Sequence, residues 1–398
     1  MAFTVLNFLK HPLTNWPCFF LYFFGVGFLS PSLPFWALCF YLFFIPRFFF
    51  HLSQKQFFPK LSIEENTLPL FFLLLCFVWV GGISCFWSIF ENHSWKWLID
   101  FTCTLLFLWG AWEALRNNES FLEKLLWTVI IGSAFNEFLG IFLRFIGQNT
   151  DSFAPDRVPG WGVFYPIVFA GDLAGLSILS LIFLRYRNNL FLRTHKVLAF
   201  ALFALNLLFL FLTGCRMACL ALCCASLLAL GFWRKKRLLL CLGVPLLAIA
   251  FVAKPLLPFL GRGDSGHVEI WRKGFAGCFL HPWIGEGVRL QMKIANGQGG
   301  FFPHPHSFFI ALFWQAGGIG FFLFFLSLIS LFFIGLRKAG NEVGMCFVVY
   351  ALLCGATDLS FVFKGPSEEW ILIWLPFLLS AGFVSAKNQE FRLKTRDV

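Results

Sequence analysis

Charge is what this sequence has least of. Only 13% of its 398 residues are Asp, Glu, Lys or Arg, against about a quarter in soluble domains. No polar stretch between the apolar runs is long enough to be an ordinary soluble domain, so the chain reads as one membrane domain over 1–398. No CxxC…CxxC metal pattern is present either. The thirteen Cys sit mostly inside apolar runs, as Cys215, Cys219, Cys223 and Cys224 do, and Cys278 is the clear loop cysteine. No disulfide framework follows from them. What abounds is apolar surface. The hydrophobic fraction is 59% and Phe occurs 59 times, more than a soluble core of this length could hide. That composition is an integral membrane protein's.

The expected fold class is an all-α polytopic membrane protein with about twelve transmembrane helices, each of roughly 17–25 residues where predominantly apolar. They fall near 16–30, 33–50, 68–90, 97–115, 125–147, 163–184, 197–213, 216–233, 238–260, 307–336, 345–363 and 370–386. The apolar run at 19–29 is followed by no small-residue cleavage site and by many more spans, so it reads as a first helix. The span at 307–336 is overlong, and Gly317, Gly318 and Gly320 interrupt it, which predicts a tilted or broken helix.

A net charge of +11 suggests nucleic acid until the cations are placed. One set of connectors collects Lys10, Arg47, Lys55, Lys60, Arg116, Lys124, Arg185, Arg187, Arg193, Lys196, the RKKR run at 234–237, Arg337, Lys338 and the tail cations. The other set holds Lys96, Arg157, Lys364 and the basic residues of one long loop at 261–306. The excess marks the cytoplasmic side. Both termini are then expected in the cytoplasm and the loop outside, with no nucleic-acid partner. The loop's own cations oppose that bias, so something other than orientation requires them.

Ionisable groups at membrane depth are costly and are paired or line a cavity. Asn136, Glu137 and Arg144 in the fifth span, Asp172 in the sixth, Glu113 and Asp358 are the candidates. Glu137 and Arg144 lie two turns apart on one face, as a structural ion pair, a helix–helix hydrogen bond or part of a proton path. Asp172 stands among small residues and is a packing contact or a site residue. The connector at 149–163, rich in Pro and Gly, is a plain turn or folds over the same surface as the long loop. Arg216, in LTGCRMACLAL, sits where the seventh span turns outward into the eighth. It either snorkels to water or offers a planar fork of donors to a phosphate.

Within the loop, SGHVEIWRKGFAGCFL reads as a helix. Ser265 and Glu269 fit a loose capping pattern, and Val268, Trp271, Phe275, Cys278 and Phe279 recur at helical steps. That face lies on the membrane surface or on the bundle. His267 and Trp271 share a face, and Arg272 points elsewhere. HPWIGEG breaks the helix through Pro282, Gly285 and Gly287, and PHPHS restarts one at Ser307. His304 and His306 thereby stand at a helix start, where an imidazole is favoured as neutral. H-P-H without acidic neighbours is a weak zinc signal; a neutral imidazole is a general base. Beside Arg216 and Arg262 it makes a base next to an anion clamp, an arrangement suited to moving a group off a phosphate leaving group.

SGHVEIWRKGFAGCFLHPWIGEGV resembles the opening of the signature domain of the O-antigen ligase and polymerase superfamily. HSFFIALFWQAGGIG resembles its closing motif, and LTGCRMACLAL the Arg-bearing element before it. The signature region covers about 200–335. The resemblance implies a GT-C-like architecture and metal-independent, cofactor-free, inverting glycosyl transfer at the periplasmic face of the bacterial inner membrane. The donor would be a glycan on undecaprenyl pyrophosphate. The acceptor would be a lipid A-core sugar for a ligase, another lipid-linked repeat for a polymerase, or protein. By the same resemblance Arg216 matches the first motif Arg and His306 the motif His, with Trp271, Gly285, Gly287, His304 and Ser307 supporting. The chain departs where it carries His267 in place of the usual Arg, with Arg262, Arg272 or protonated His267 to supply the cation. It departs again at Ser307, where Asn is common, and Gln315, where Glu is common. A transporter or flippase is the rival from another class, but no repeat relates the two halves.

Overall fold

The computed structural model describes residues 16–42, 68–90, 96–116, 119–148, 157–186, 189–232, 266–288, 292–295, 301–337, 342–359, 363 and 365–380. The protein is an all-α membrane protein. Runs of Leu and Phe this long can satisfy their backbone groups in lipid only within the segment itself, and that means helix. The helices are α1 (Trp16–Leu29), α2 (Leu33–Leu42), α3 (Leu68–Phe90), α4 (Lys96–Arg116), α5 (Glu119–Phe145), α6 (Ile167–Tyr186), the short α7 (Leu190–Thr194), α8 (Lys196–Thr213), α9 (Arg216–Phe232), α10 (His267–Gly277), α11 (Phe308–Arg337), α12 (Glu342–Asp358) and α13 (Trp370–Ser380). Five of them (α3, α5, α6, α8 and α11) are long and apolar enough to cross a membrane; other apolar helices are shorter within the described residues. The expected span at 238–260 lies outside the described residues, as do Arg262, Arg289 and the side chains of Glu113 and Asp358.

The boundary near Ser30 is a tight turn. Ser30 Oγ donates to Ser32 O at 2.7 Å, and α2 folds back so that Trp36 stacks on Phe23 at 4.9 Å and donates Nε1–H to Phe23 O at 2.9 Å. Into this aromatic hairpin comes Trp370 at the start of α13, with ring centroids 4.3 Å from Phe107 and 5.0 Å from Phe40. The helix α13 is apolar all round and buried on every side, as such a composition demands. Helix α6 is buried almost throughout, between α5, α8, α9 and α12.

Glu137, Asn136 and Asp172 each have a local partner. Glu137 Oε1 accepts from Ser133 Oγ at 2.8 Å, and Ser133 also contacts Asn206 of α8 at 3.1 Å. A helix–helix hydrogen-bond relay thus takes the place of an ion pair with Arg144. Asn136 clamps the connector after α5, donating to Trp161 O at 2.8 Å and accepting from Trp161 N at 3.2 Å. Asp172 packs at the meeting of three helices: its backbone O accepts from Tyr350 Oη at 2.7 Å, and its carboxylate lies 3.8 Å from Cys215 Sγ.

Candidate functional site

The long loop folds as a small body of its own on one end of the bundle. Its helix α10 starts at Gly266, whose φ of 79° makes it the cap residue, and no side chain caps it. The expected capping by Glu269 gives way to an ion pair. Glu269 takes Arg272 in a two-point grip at 2.9 and 3.0 Å, and Lys273 at 3.2 Å. Those two cations hold the Glu269 carboxyl down to about 2, and Glu269 in turn raises the Arg272 guanidinium. All of this is at an exposed surface where water screens it. Lys273 also donates to Ala295 O at 3.0 Å, tying α10 to a two-residue hairpin in which β1 (Ile294–Ala295) pairs antiparallel with β2 (Phe301–Phe302). Ile270, Cys278, Met292 and Ile294 form a separate small core between α10, the hairpin and the start of α11. Burial there pushes the Cys278 thiol up to about 12, so it is an inert packing group.

Three histidines meet on this body. His306 lies with its ring centroid 4.1 Å from His304 and 5.7 Å from His267, and Phe302 closes the group at 5.9 Å. Trp271 donates Nε1–H to His306 O at 3.2 Å. His306 has a φ of 49°, the only left-handed non-glycine backbone among the described residues. Such a conformation is sparsely populated, costs roughly 1–3 kcal/mol and clusters at working sites. Ser307, buried, then accepts from Ala311 N at 2.9 Å and opens α11. Among the described residues no three His, Cys, Asp or Glu side chains are arranged to hold a metal ion.

Helix α11 is broken at Gly317, with φ 61° and ψ −173°, and the loop is spliced into the break. In an unbroken helix Gly318 N and Ile319 N would donate to Trp314 O and Gln315 O. Here they donate to Pro282 O at 2.7 Å and Trp283 O at 3.3 Å. Trp314 O and Gln315 O accept from Glu286 N at 2.8 Å and Gly287 N at 2.9 Å. These four freed donors and acceptors are satisfied by the HPWIGEG turn, as a buried backbone requires. The approach is so close that a Cβ on Gly317 would stand 2.4 Å from Trp283 O, and one on Gly285 2.4 Å from Gly317 N. Helix α3 braces the same place: Ser84 Oγ accepts from Val288 N at 2.8 Å, and Trp79 Nε1 donates to Ala316 O at 2.9 Å.

Arg216 is the first residue of α9, after a turn capped by Gly214 at φ 60°. A cation at a helix N-terminus opposes the dipole, and a guanidinium combined with first-turn N–H groups attracts an anion. The 149–163 connector reaches this same turn: Val158 N donates to Leu212 O at 3.0 Å, and Arg157 Nε donates to Thr213 O. Arg157 is thus a second arginine at the Arg216 turn. The histidines are one helix away. Tyr350 of α12 and Cys215 both reach Asp172, while a Cβ on Gly355, further along α12, would lie 3.2 Å from Phe308 Cβ. The Arg216 turn and the His306 turn therefore both approach α12.

No protein-family model matches this chain, and no curated protein does. What each expected residue does is accordingly read from its place. His267, Trp271, His304, His306 and Ser307 come together; Gly285 and Gly287 belong to the splice. Arg216 stands apart beside Arg157. Arg272 is exposed on the far side of α10, engaged with Glu269. Residues to which the sequence reading gave no site role are Arg157, placed only among the connector cations, the His281–Glu286 pair inside the spliced turn, and the buried carboxylates Glu368 and Glu369 ahead of α13. The HPWIGEG and GPSEEW runs carry these acids in otherwise apolar surroundings, and that was the available signal.

Proposed function

We propose that the protein is a glycosyltransferase of O-antigen ligase type, with about twelve spans, cytoplasmic termini, and the His306 body on the periplasmic face of a bacterial inner membrane. The observation that carries this reading is the left-handed His306 backbone, clamped by Trp271 among three histidines one helix from an arginine pair. In the proposed reaction His306 takes the proton from an acceptor hydroxyl. The oxygen attacks the anomeric carbon with inversion, and the bond from that carbon to the phosphate oxygen breaks. Undecaprenyl pyrophosphate departs with the electron pair, its charge met by Arg216 and Arg157. Charge stabilisation and a positioned base are the two contributions such a transfer needs. The resemblance of the 200–335 region to the ligase and polymerase superfamily points the same way, and the two histidine-bearing segments and the Arg216 element carry it.

The test is a gel of lipopolysaccharide from the host lacking this protein, complemented with wild type or His306→Ala. Loss of all capped core, with long glycan held on the carrier, supports the ligase. Core carrying a single repeat would make it a polymerase. A ladder unchanged by deletion would remove lipid A-core as acceptor and move the assay to glycosylated protein. Full activity of His306→Ala would end the general-base assignment.

A further inference from the structure

Helix α10 has a side that stays exposed among the described residues. Its buried side, Ile270, Gly274 and Cys278, faces the hairpin and α11. Its charged side carries Glu269, Arg272 and Lys273. Between them, Val268 and Phe275 share a second apolar stripe at about 100° per residue, and Phe279 continues it with its ring 5.1 Å from Phe275. These residues are 59%, 50% and 58% exposed, and Trp283 in the following turn is 71% exposed.

The patch does not end at the loop. Phe275 and Phe279 lie 6.1 and 6.3 Å from Phe313 of α11, which lies 5.5 Å from Phe321. Trp283 accepts from Ile319 N through its carbonyl, and Ile319, Phe322, Ile329 and Phe333 form an exposed apolar flank down α11. That flank belongs to a helix apolar and long enough to cross a membrane. From Gly317 to Ile334 it rises about 26 Å at about 1.5 Å per residue, close to the roughly 30 Å of a hydrocarbon core. With Arg337 at the opposite boundary, Gly317 and Trp283 stand at interfacial depth, where a Trp ring is at home.

We infer that α10 is an interfacial helix: Val268, Phe275, Phe279 and Trp283 are seated in the headgroup–acyl boundary of the bilayer, with Arg272 and Lys273 beside the phosphates. An apolar stripe next to a charged one is what such helices present, and an apolar patch continuous with a lipid-facing flank has the same solvent. The inference does not depend on the glycosyl-transfer reading. Its consequence for the site is that the imidazoles of His267 and His306 are held at headgroup level rather than in open water.

The experiment places the photo-crosslinker p-benzoylphenylalanine in the full chain at Phe275, Phe279, Trp283 or, on the charged side, Ala276. Each variant is reconstituted in nanodiscs of phosphatidylethanolamine and phosphatidylglycerol, irradiated and weighed by mass spectrometry. Phospholipid adducts at 275, 279 and 283, at least tenfold above those at 276, are expected. Equal yields at 276 would overturn the inference. So would crosslinks from the three apolar positions to protein alone, which would make the patch a contact between copies or within the chain.

Discussion

Replacing Gly317 with Ala asks whether the helix break is held by the glycine. The φ/ψ of Gly317 lies in a region that is essentially glycine's own and costs other residues about 1–3 kcal/mol. The added Cβ would also sit 2.4 Å from Trp283 O and 2.5 Å from Gly285 N, so the turn must withdraw. Four backbone hydrogen bonds between 282–287 and 314–319 are then lost, and two return as the helix reseals. The net loss of two bonds at about 1 kcal/mol each, with part of the strain relieved, gives about 2–4 kcal/mol of local stability. In hydrogen exchange on detergent-solubilised protein, the Glu286 and Gly287 amides should therefore exchange roughly 30- to 1000-fold faster. Gly318→Ala is the control. Its Cβ would meet Pro282 O at 3.2 Å with no positive φ to strain it, and its effect should stay below about tenfold. Wild-type protection in Gly317→Ala, or equal exposure in both variants, would refute the account of the splice.

Trp271→Phe removes the hydrogen bond to His306 O and keeps the ring; a net bond of about 1 kcal/mol predicts a five- to tenfold fall in kcat in a donor–acceptor transfer assay, with KM for donor unchanged. Arg157→Ala should lower kcat/KM for donor about ten- to a hundredfold, the scale of a charged hydrogen bond; an unchanged kcat/KM would contradict a pyrophosphate role. The Glu269 carboxyl is held down to about 2, so its contribution to α10 is complete above the ordinary value near 4.5 and is lost as pH falls toward 2. Exchange of the α10 amides, corrected for intrinsic rate, should be level from pH 8 to pH 5 and quicken only below that, and Glu269→Gln should abolish the quickening.

The helices were legible in the sequence because uninterrupted Leu and Phe runs leave the backbone no other partner, and the break in α11 because three glycines fall within four residues. The histidine group was legible as a local pattern, since PHPHS and the helix at 267–277 each bring an imidazole to a turn. What filled the break was not. The partners of Trp314 O and Gln315 O come from a turn about 30 residues upstream, and no periodicity encodes a backbone-to-backbone pairing at that range. Arg157 was missed for the same reason: its place beside Arg216 depends on Asn136 pinning Trp161, a contact between a span and a connector. Glu269 was misread because a cap and an i+3 ion pair demand the same residue at the same spacing, and Arg272 and Lys273 together outbid the helix end.

The spliced break in α11 also sets an order of assembly. The turn at 282–287 leaves the ribosome before α11 does, yet its four acceptors and donors lie on a span that has not been made. When α11 first enters the bilayer its most stable state is a continuous helix, since a lone break would leave two carbonyls and two amides without partners. Opening at Gly317 becomes favourable only once the turn is alongside and α3 presents Ser84 and Trp79 to hold it. The His306 site is therefore a late product of assembly, completed when the turn locks onto a span made after it.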